Sequence, residues 1–270
     1  MTATTVYDAF AAAVRSEEPV AMATVIAGPG TGGKLLARPG QPAVGSLGDP
    51  DLDRVVARDA LGELAAGTTA VRHYGEHGEA REAVVAVFVE SFAPPPRMLV
   101  FGAVDFTAAL VKVAKVLGYR VTVCDAREVF ATRARFPQAD EVVVDWPDRL
   151  LRRVGGELTA RDAVCVLTHD AKFDVPALVA ALATDVGYVG AMGSRRTHAD
   201  RVARLVEAGV DQAGLARIRA PIGLDVGART PEETAVSICA EIIAQRTGRE
   251  EARPLRDAEG PIHWQGQASA

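Results

Sequence analysis

Apolar positions change their rhythm about one third of the way along the chain. In the first part, short segments of differing period follow one another. Beyond it, continuous Val-rich runs recur at intervals filled by helix-like stretches. Val6, Phe10 and Val14 share one face of a helix expected over residues 6–17. A strand-like run VAMATVIAG, a second run GKLLARP and a Pro/Gly turn come next. Asp49-Pro50 has the form of a helix start, with a cap followed by proline at the first helical position, and Gly67 has the form of its end. Two further strands, TTAVRHY and EAVVAVFVES, complete a small α+β domain over residues 1–93. Pro94-Pro95-Pro96 can join neither a helix nor a central strand and reads as a stiff linker.

After the linker, the runs RMLVFG, YRVTVCD, DEVVVD, DAVCVLTH and GYVGAMG alternate with helical segments. Short continuous apolar runs suit strands buried on both faces, and the alternation implies βαβ crossovers and a parallel sheet. The expected fold class is therefore α/β, a Rossmann-like domain over 97–248 behind the smaller N-terminal domain. Asp105 is placed to cap the first helix and Gly118 to end it, Asp174 to cap another, and 195–209 to form a third. Thr230-Pro231-Glu232-Glu233 combines a Thr cap, Pro at the first position and Glu at the third. Residues 249–270, rich in charge, Gly and Gln, are expected to be a disordered tail.

Composition narrows the function classes. Of 270 residues, 49% are hydrophobic, enough for a proper core, and the formal net charge of −5 leaves no basic excess for a nucleic-acid surface. There is no basic segment followed by an apolar run at the N-terminus, and no apolar stretch of the roughly 20 residues a membrane span requires. Cys124, Cys165 and Cys239 each lie inside an apolar run and read as small buried hydrophobes in a reducing compartment. A cytoplasmic protein is expected.

Candidate chemistry gathers where strands end. In LVFGAVDFTAAL a strand runs into Gly102 and a helix starts near Asp105, the setting of a dinucleotide fingerprint, but Val104 and Thr107 stand where the second and third glycines belong. A plain strand-to-helix turn is the rival reading. Asp125 ends the next strand 23 positions after Gly102, close to the roughly 20 expected of the acid that bonds a ribose, which favours NAD over NADP. Asp125 as a turn residue is the alternative, and Arg127 is either an adenine contact or a solvated charge. Thr168, His169, Asp170 and Lys172 crowd the end of another buried run, making His169 and Asp170 candidates for ligand contact. Gly193 and Ser194 lead into a helix carrying Arg195 and Arg196, an arrangement of amides and guanidinium groups suited to an anion, or to an ordinary cap with surface arginines. The glycine-containing loop 219–229 suggests function or a specific packing role. His73 and His77 are spaced by four in a strand and turn, where they need not face one point, so no metal site is assigned. No catalytic residue is assigned either.

Taken together, FGAVDF, VTVCDAR, ADEVVV, LTHDAKFD, YVGAMGSRRT and IRAPIGLDVGARTPEETAVSICAEI resemble the xanthine dehydrogenase accessory factor (XdhC/CoxI) family, and ATVI, GGKLL and GSLG its N-terminal domain more loosely. The resemblance implies a maturation factor that binds molybdenum cofactor (molybdopterin), protects it during sulfuration and helps deliver it to a molybdenum hydroxylase apoenzyme of the xanthine or carbon monoxide dehydrogenase type. It also admits a cysteine desulfurase and a second copy of the chain, in a homodimer, as partners. Two departures stand out: Gly102-Ala103-Val104 replaces a Gly-Ala-Gly turn, and Gly45-Ser46-Leu47-Gly48-Asp49 replaces a segment with Gly-Gly-Cys. No thiol role carries over to the second position. The competing expectations are an NAD-dependent oxidoreductase using His169 as proton donor, and an interaction protein whose Rossmann domain binds nothing.

Overall fold

The structure is a computed structural model that describes residues 5–80, 82–249 and 252–258. Helix α1 (Val6–Arg15) starts on a reciprocal cap between Thr5 and Asp8. Its buried side is Val6, Ala9, Phe10 and Ala13, while Val14 is 38% exposed. From Val6, Ala13 returns to nearly the same angle at i+7, whereas Val14 has turned past it.

Strands β1 (Val20–Ala27), β2 (Lys34–Ala37) and β3 (Val44–Ser46) precede helix α2 (Pro50–Ala66), and β4 (Ala70–Tyr74) and β5 (Val85–Phe92) follow it. They form an antiparallel sheet in the order β3-β2-β1-β5-β4. The period of two along β1 serves both faces. Val20 and Met22 pack toward α1, and Ala21, Ala23 and Val25 pack with Leu52, Val56, Ala60 and Leu64 of α2. Asp49 caps α2 through the Asp51 and Leu52 amides, and Gly67 closes it.

Ala93–Pro96 joins β5 to the second half. That half runs β6 (Arg97–Phe101), α3 (Asp105–Val116), β7 (Arg120–Cys124), β8 (Glu141–Val143), α4 (Pro147–Val154), β9 (Ala163–Val166), α5 (Ala171–Leu182), β10 (Tyr188–Ala191), α6 (Arg195–Glu207), α7 (Gln212–Ala216), β11 (Ile218–Arg219) and α8 (Pro231–Arg246). Every strand pair is parallel and the order is β11-β10-β9-β6-β7-β8. Numbered within the sheet, with β6 as the first strand, this has the form of the dinucleotide fold, in which the chain steps outward from a central strand in both directions. Helices cover both faces: Met98 and Val100 of β6 pack toward α3 and α8, and Leu99 and Phe101 pack toward α4 and α5. Such strands read as unbroken apolar runs because neither face meets water.

Two expected caps fall elsewhere. Val104, in extended conformation, is the N-cap of α3, and Asp105 is its first helical residue. The carboxylate is displaced toward Arg135, 3.4 Å away, and still lies where the helix dipole favours negative charge. Asp170 caps α5 by accepting from the Lys172 amide, while Asp174 is buried within the first turns against Arg201. The Thr230–Glu233 capping box forms as the sequence indicates. Of the expected tail, residues 252–258 hold a 3-10 turn at Leu255–Asp257, and 250, 251 and 259–270 lie outside the described residues.

Candidate functional site

The chain leaves β6 toward β7 on one side, and reaches β9 on the other only after β8 and α4. Loops beyond the carboxyl ends of β6 and β9 therefore part, and ligands of open parallel sheets bind in that crevice. An open cavity of ≈ 250 Å³ lies there, lined by Val104, Arg127, Thr168, His169, Asp170 and Phe173. That volume is just under the ~300–1,000 Å³ usual for small-molecule sites.

The turn after β6 is held from several directions. Gly102 has φ +111°, and a Cβ there would come within 2.7 Å of Thr168 Cγ2, so glycine lets this turn lie against the β9 loop. Gly102 donates its amide to the Cys124 carbonyl at 2.9 Å, and the Thr107 hydroxyl donates to the Gly102 carbonyl. Thr107, at the position of the fingerprint's third glycine, thus fastens the turn it would otherwise leave open.

Asp125 is 3% exposed and its carboxylate is engaged inward. One oxygen accepts from the Arg127 amide and Nε, both at 2.9 Å; the other accepts from the Ala103 amide at 2.8 Å and Arg127 Nη2 at 2.7 Å. Burial pushes this carboxyl up, but the Arg127 fork and the two amides outweigh burial and hold it below its ordinary value. The Arg127 guanidinium carbon sits 4.7 Å from the Phe130 ring centroid. Arg135 braces the same turn by donating to the Ala103 carbonyl at 2.9 Å. As folded, the acid that sequence spacing assigns to a ribose closes the β6–β7 turns.

Across the crevice, His169 and Asp170 are exposed at the mouth of α5, with Lys172 3.3 Å from Asp170. Phe173 supplies an apolar wall and packs against Trp146, ring centroids 4.9 Å apart. Beyond β10, Gly193 has φ +144° and Ser194 caps α6, accepting from the Thr197 amide at 3.1 Å. Arg195 and Arg196 are exposed there and do not line the crevice cavity. A smaller cavity of ≈ 110 Å³ lies between α5 and α6, lined by His169, Ala171, Asp174, Val175, Thr197, Asp200, Arg201 and Arg204.

The topology thus gathers Gly102, Asp125, Arg127, His169 and Asp170 around one crevice and sets Gly193–Arg196 beside it. Phe173 and Arg201 are the additions that the fold makes to the residues singled out by sequence. An Asp174–Arg201 pair 27 positions apart leaves no local signal in the sequence. The 219–229 loop packs onto α8: Gly223 donates its amide to Glu241 at 2.8 Å, and Ser237 donates to the Leu224 carbonyl at 2.5 Å.

A parallel sheet in this order, with a crevice at its switch point and an antiparallel sheet ahead of it, defines an α/β protein of the Rossmann-like class. Within that class the chain belongs to the XdhC and CoxI family: the family's XdhC Rossmann domain matches residues 98–242 and its XdhC and CoxI family region matches 13–75. The chain is 32% identical over 160 residues to a probable xanthine dehydrogenase subunit from Bacillus subtilis (strain 168), covering 59% of this chain and 46% of that protein. It is 29% identical over 164 residues to the molybdenum cofactor insertion chaperone PaoD of Escherichia coli (strain K12), covering 61% and 44%. It is 26% identical over 253 residues to the uncharacterized protein YqeB of the same organism, covering 87% and 45%. The chain spans about half the length of these curated relatives. A crystal structure described as a xanthine dehydrogenase from Bacillus halodurans shares the fold, at a TM-score of 0.52 and 20% identity, covering 90% of this chain and 97% of that one.

Proposed function

We propose that this protein is a maturation factor that holds molybdenum cofactor in the crevice at the end of β6 and β9. It would assist the cofactor's sulfuration or insertion into a molybdenum hydroxylase of the xanthine or carbon monoxide dehydrogenase type. The observation that carries this reading is the character of the crevice: it offers surfaces for holding a ligand, and its carboxylates are already paired. Asp125 beneath it is forked by Arg127, and Asp170 at its mouth is paired with Lys172. Family membership and the similarity to an insertion chaperone support the same reading.

The residues fit a flat, polar-edged ligand. Val104 and Phe173 give an apolar wall, while Arg127, Thr168 and His169 offer hydrogen-bonding groups around it. Gly102, Asp105 and Asp125 would frame the turn beneath, and Gly193 with Ser194, Arg195 and Arg196 would form the outer lip. The bound group would bring the metal and its sulfur; the chain's part is to hold it and shield it from water.

An NAD-dependent oxidoreductase is the second reading, favoured by the strand order and the place of Asp125. One experiment separates the two. The protein, purified under mild conditions, is assayed for released pterin and titrated with NAD and NADP. Pterin release with weak or absent dinucleotide binding is expected. Sustained His169-dependent NADH consumption with a small substrate, and no pterin, would sink the maturation reading.

A further inference from the structure

Arg201 is only 4% exposed, although it lines the smaller cavity between α5 and α6. Its Nη2 is fully used, donating to Asp174 Oδ2 at 2.9 Å and to the Met192 carbonyl at 2.8 Å. Its Nη1 is buried and has no hydrogen-bond partner. A buried donor on a charged group is rarely left unmatched, because nothing replaces the water it lost. Asp174 meets Arg201 through Nη2 alone, and its other oxygen accepts the Thr168 hydroxyl.

What surrounds that donor is selective. Arg204 lies one turn along α6 and is exposed at the rim, and Thr197 stands one turn before Arg201. His169 lines both this cavity and the crevice beside it. The turn at Gly193 presses close: a Cβ there would lie 3.1 Å from Thr197 and 3.6 Å from Arg201 Nη2. Two carboxylates also face the cavity, Asp174, which is consumed by its pairing, and Asp200. The volume of ≈ 110 Å³ is too small for a nucleotide and of the order of one compact tetrahedral ion.

We infer that the cavity between α5 and α6 is an oxyanion site, in which Arg201, Arg204 and Thr197 line the seat of a tetrahedral group such as phosphate. Asp174 and Met192 fix the charge in place, so the guanidinium's field on the cavity is preorganised for an anion. This holds whether or not the neighbouring crevice takes molybdenum cofactor. The oxyanion is either a free ion or the phosphate end of a ligand whose body lies in the crevice, reached past His169.

The test titrates inorganic phosphate into the full chain, with binding followed by calorimetry and by the rise in melting temperature that a ligand specific to the folded state produces. Saturable binding is expected, weakened roughly tenfold or more in Arg201→Lys, which keeps a cation for Asp174 but loses the fork. Arg204→Ala should also weaken it, and this variant leaves the buried pair intact if Arg201→Lys proves unfolded. No saturable binding by the folded, unmodified protein, or equal binding by unmodified protein and Arg204→Ala, would overturn the inference and leave the Nη1 donors to water. Pterin retention measured on the same variants tells the sources apart. Loss of pterin together with phosphate binding identifies the phosphate end of the larger ligand, and loss of phosphate binding alone identifies a free ion. A protein that carries no pterin yet binds phosphate would undo the proposed cofactor and keep this site.

Discussion

Asp125 sits at a junction of three backbone segments, and its carboxylate joins them: the Ala103 turn, its own strand end, and Arg127 two residues on. Removing it strands a buried amide. Asp125→Ala should lower unfolding free energy by about 1–3 kcal/mol, the cost of a buried donor without a partner, while Asp125→Asn, which keeps an acceptor for Ala103, should lose less. Urea unfolding of the three proteins checks the order, and an Ala variant as stable as the unmodified protein would remove Asp125 from the turn. Sequence spacing locates the residue and is silent on these partners. Spacing shows that an acid ends the second strand; it carries no information on the Ala103 amide that the fold brings to it. Arg201 is invisible in sequence for the complementary reason, since its neighbours along the chain say nothing of the Asp174 it meets across two helices.

At the scale of elements, local signals are legible and distant ones are not. Asp49-Pro50, Gly67 and the Thr230–Glu233 box specify their helix ends through bonds within four residues, so pattern alone finds them. Strands β3 and β11 are too short to show a period. Asp174 reads as a cap because the partner that justifies its burial lies on another helix. The α2 cap carries a pH dependence of its own. His77 Nδ1 lies 2.8 Å from Asp49 Oδ2, and the hydrogen bond to Asp49, followed by its charge, raises His77 above its ordinary 6.5. The Leu52 amide, then His77, lowers Asp49 below its ordinary 3.8. The raised histidine stabilises fully below 6.5, and its share fades as pH climbs through its elevated value; the lowered aspartate stabilises above 3.8, and its share fades as pH falls through its depressed value. The pair therefore contributes most between those two ordinary values. Melting temperatures of the unmodified protein and His77→Gln should differ most in that window and converge at alkaline pH. A gap that persists undiminished at high pH would mean His77 acts through something other than its charge.

Across the whole molecule, the change of rhythm at Pro94–Pro96 marks where one sheet gives way to the other, because strands of a one-helix-per-face antiparallel sheet and of a doubly covered parallel sheet bury differently. We propose that this junction divides two domains, 1–93 and 97–248, and that Arg161 is one residue that ties them. It lies in the turn before β9, donates Nη1 to the Pro94 carbonyl at 2.9 Å, and rests against the end of α2, where a Cβ on Gly67 would come within 2.8 Å of its Nε. A cation at that place also suits the negative end of the α2 dipole. Arg161→Ala should release the junction without disturbing either core, since the side chain belongs to neither sheet's apolar packing. The expected result is amide hydrogen exchange at Arg97, on the far side of the prolines, roughly tenfold faster than in the unmodified protein, as befits the loss of one charge-assisted bond from a local opening equilibrium. Melting temperature should change little, because the cores remain. Arg161→Lys should fall between, keeping the charge beside α2 and losing the planar fork that reaches Pro94. Equal exchange in all three proteins would show that the junction is held by the surrounding packing, and Arg161 would then be a bystander at the α2 terminus.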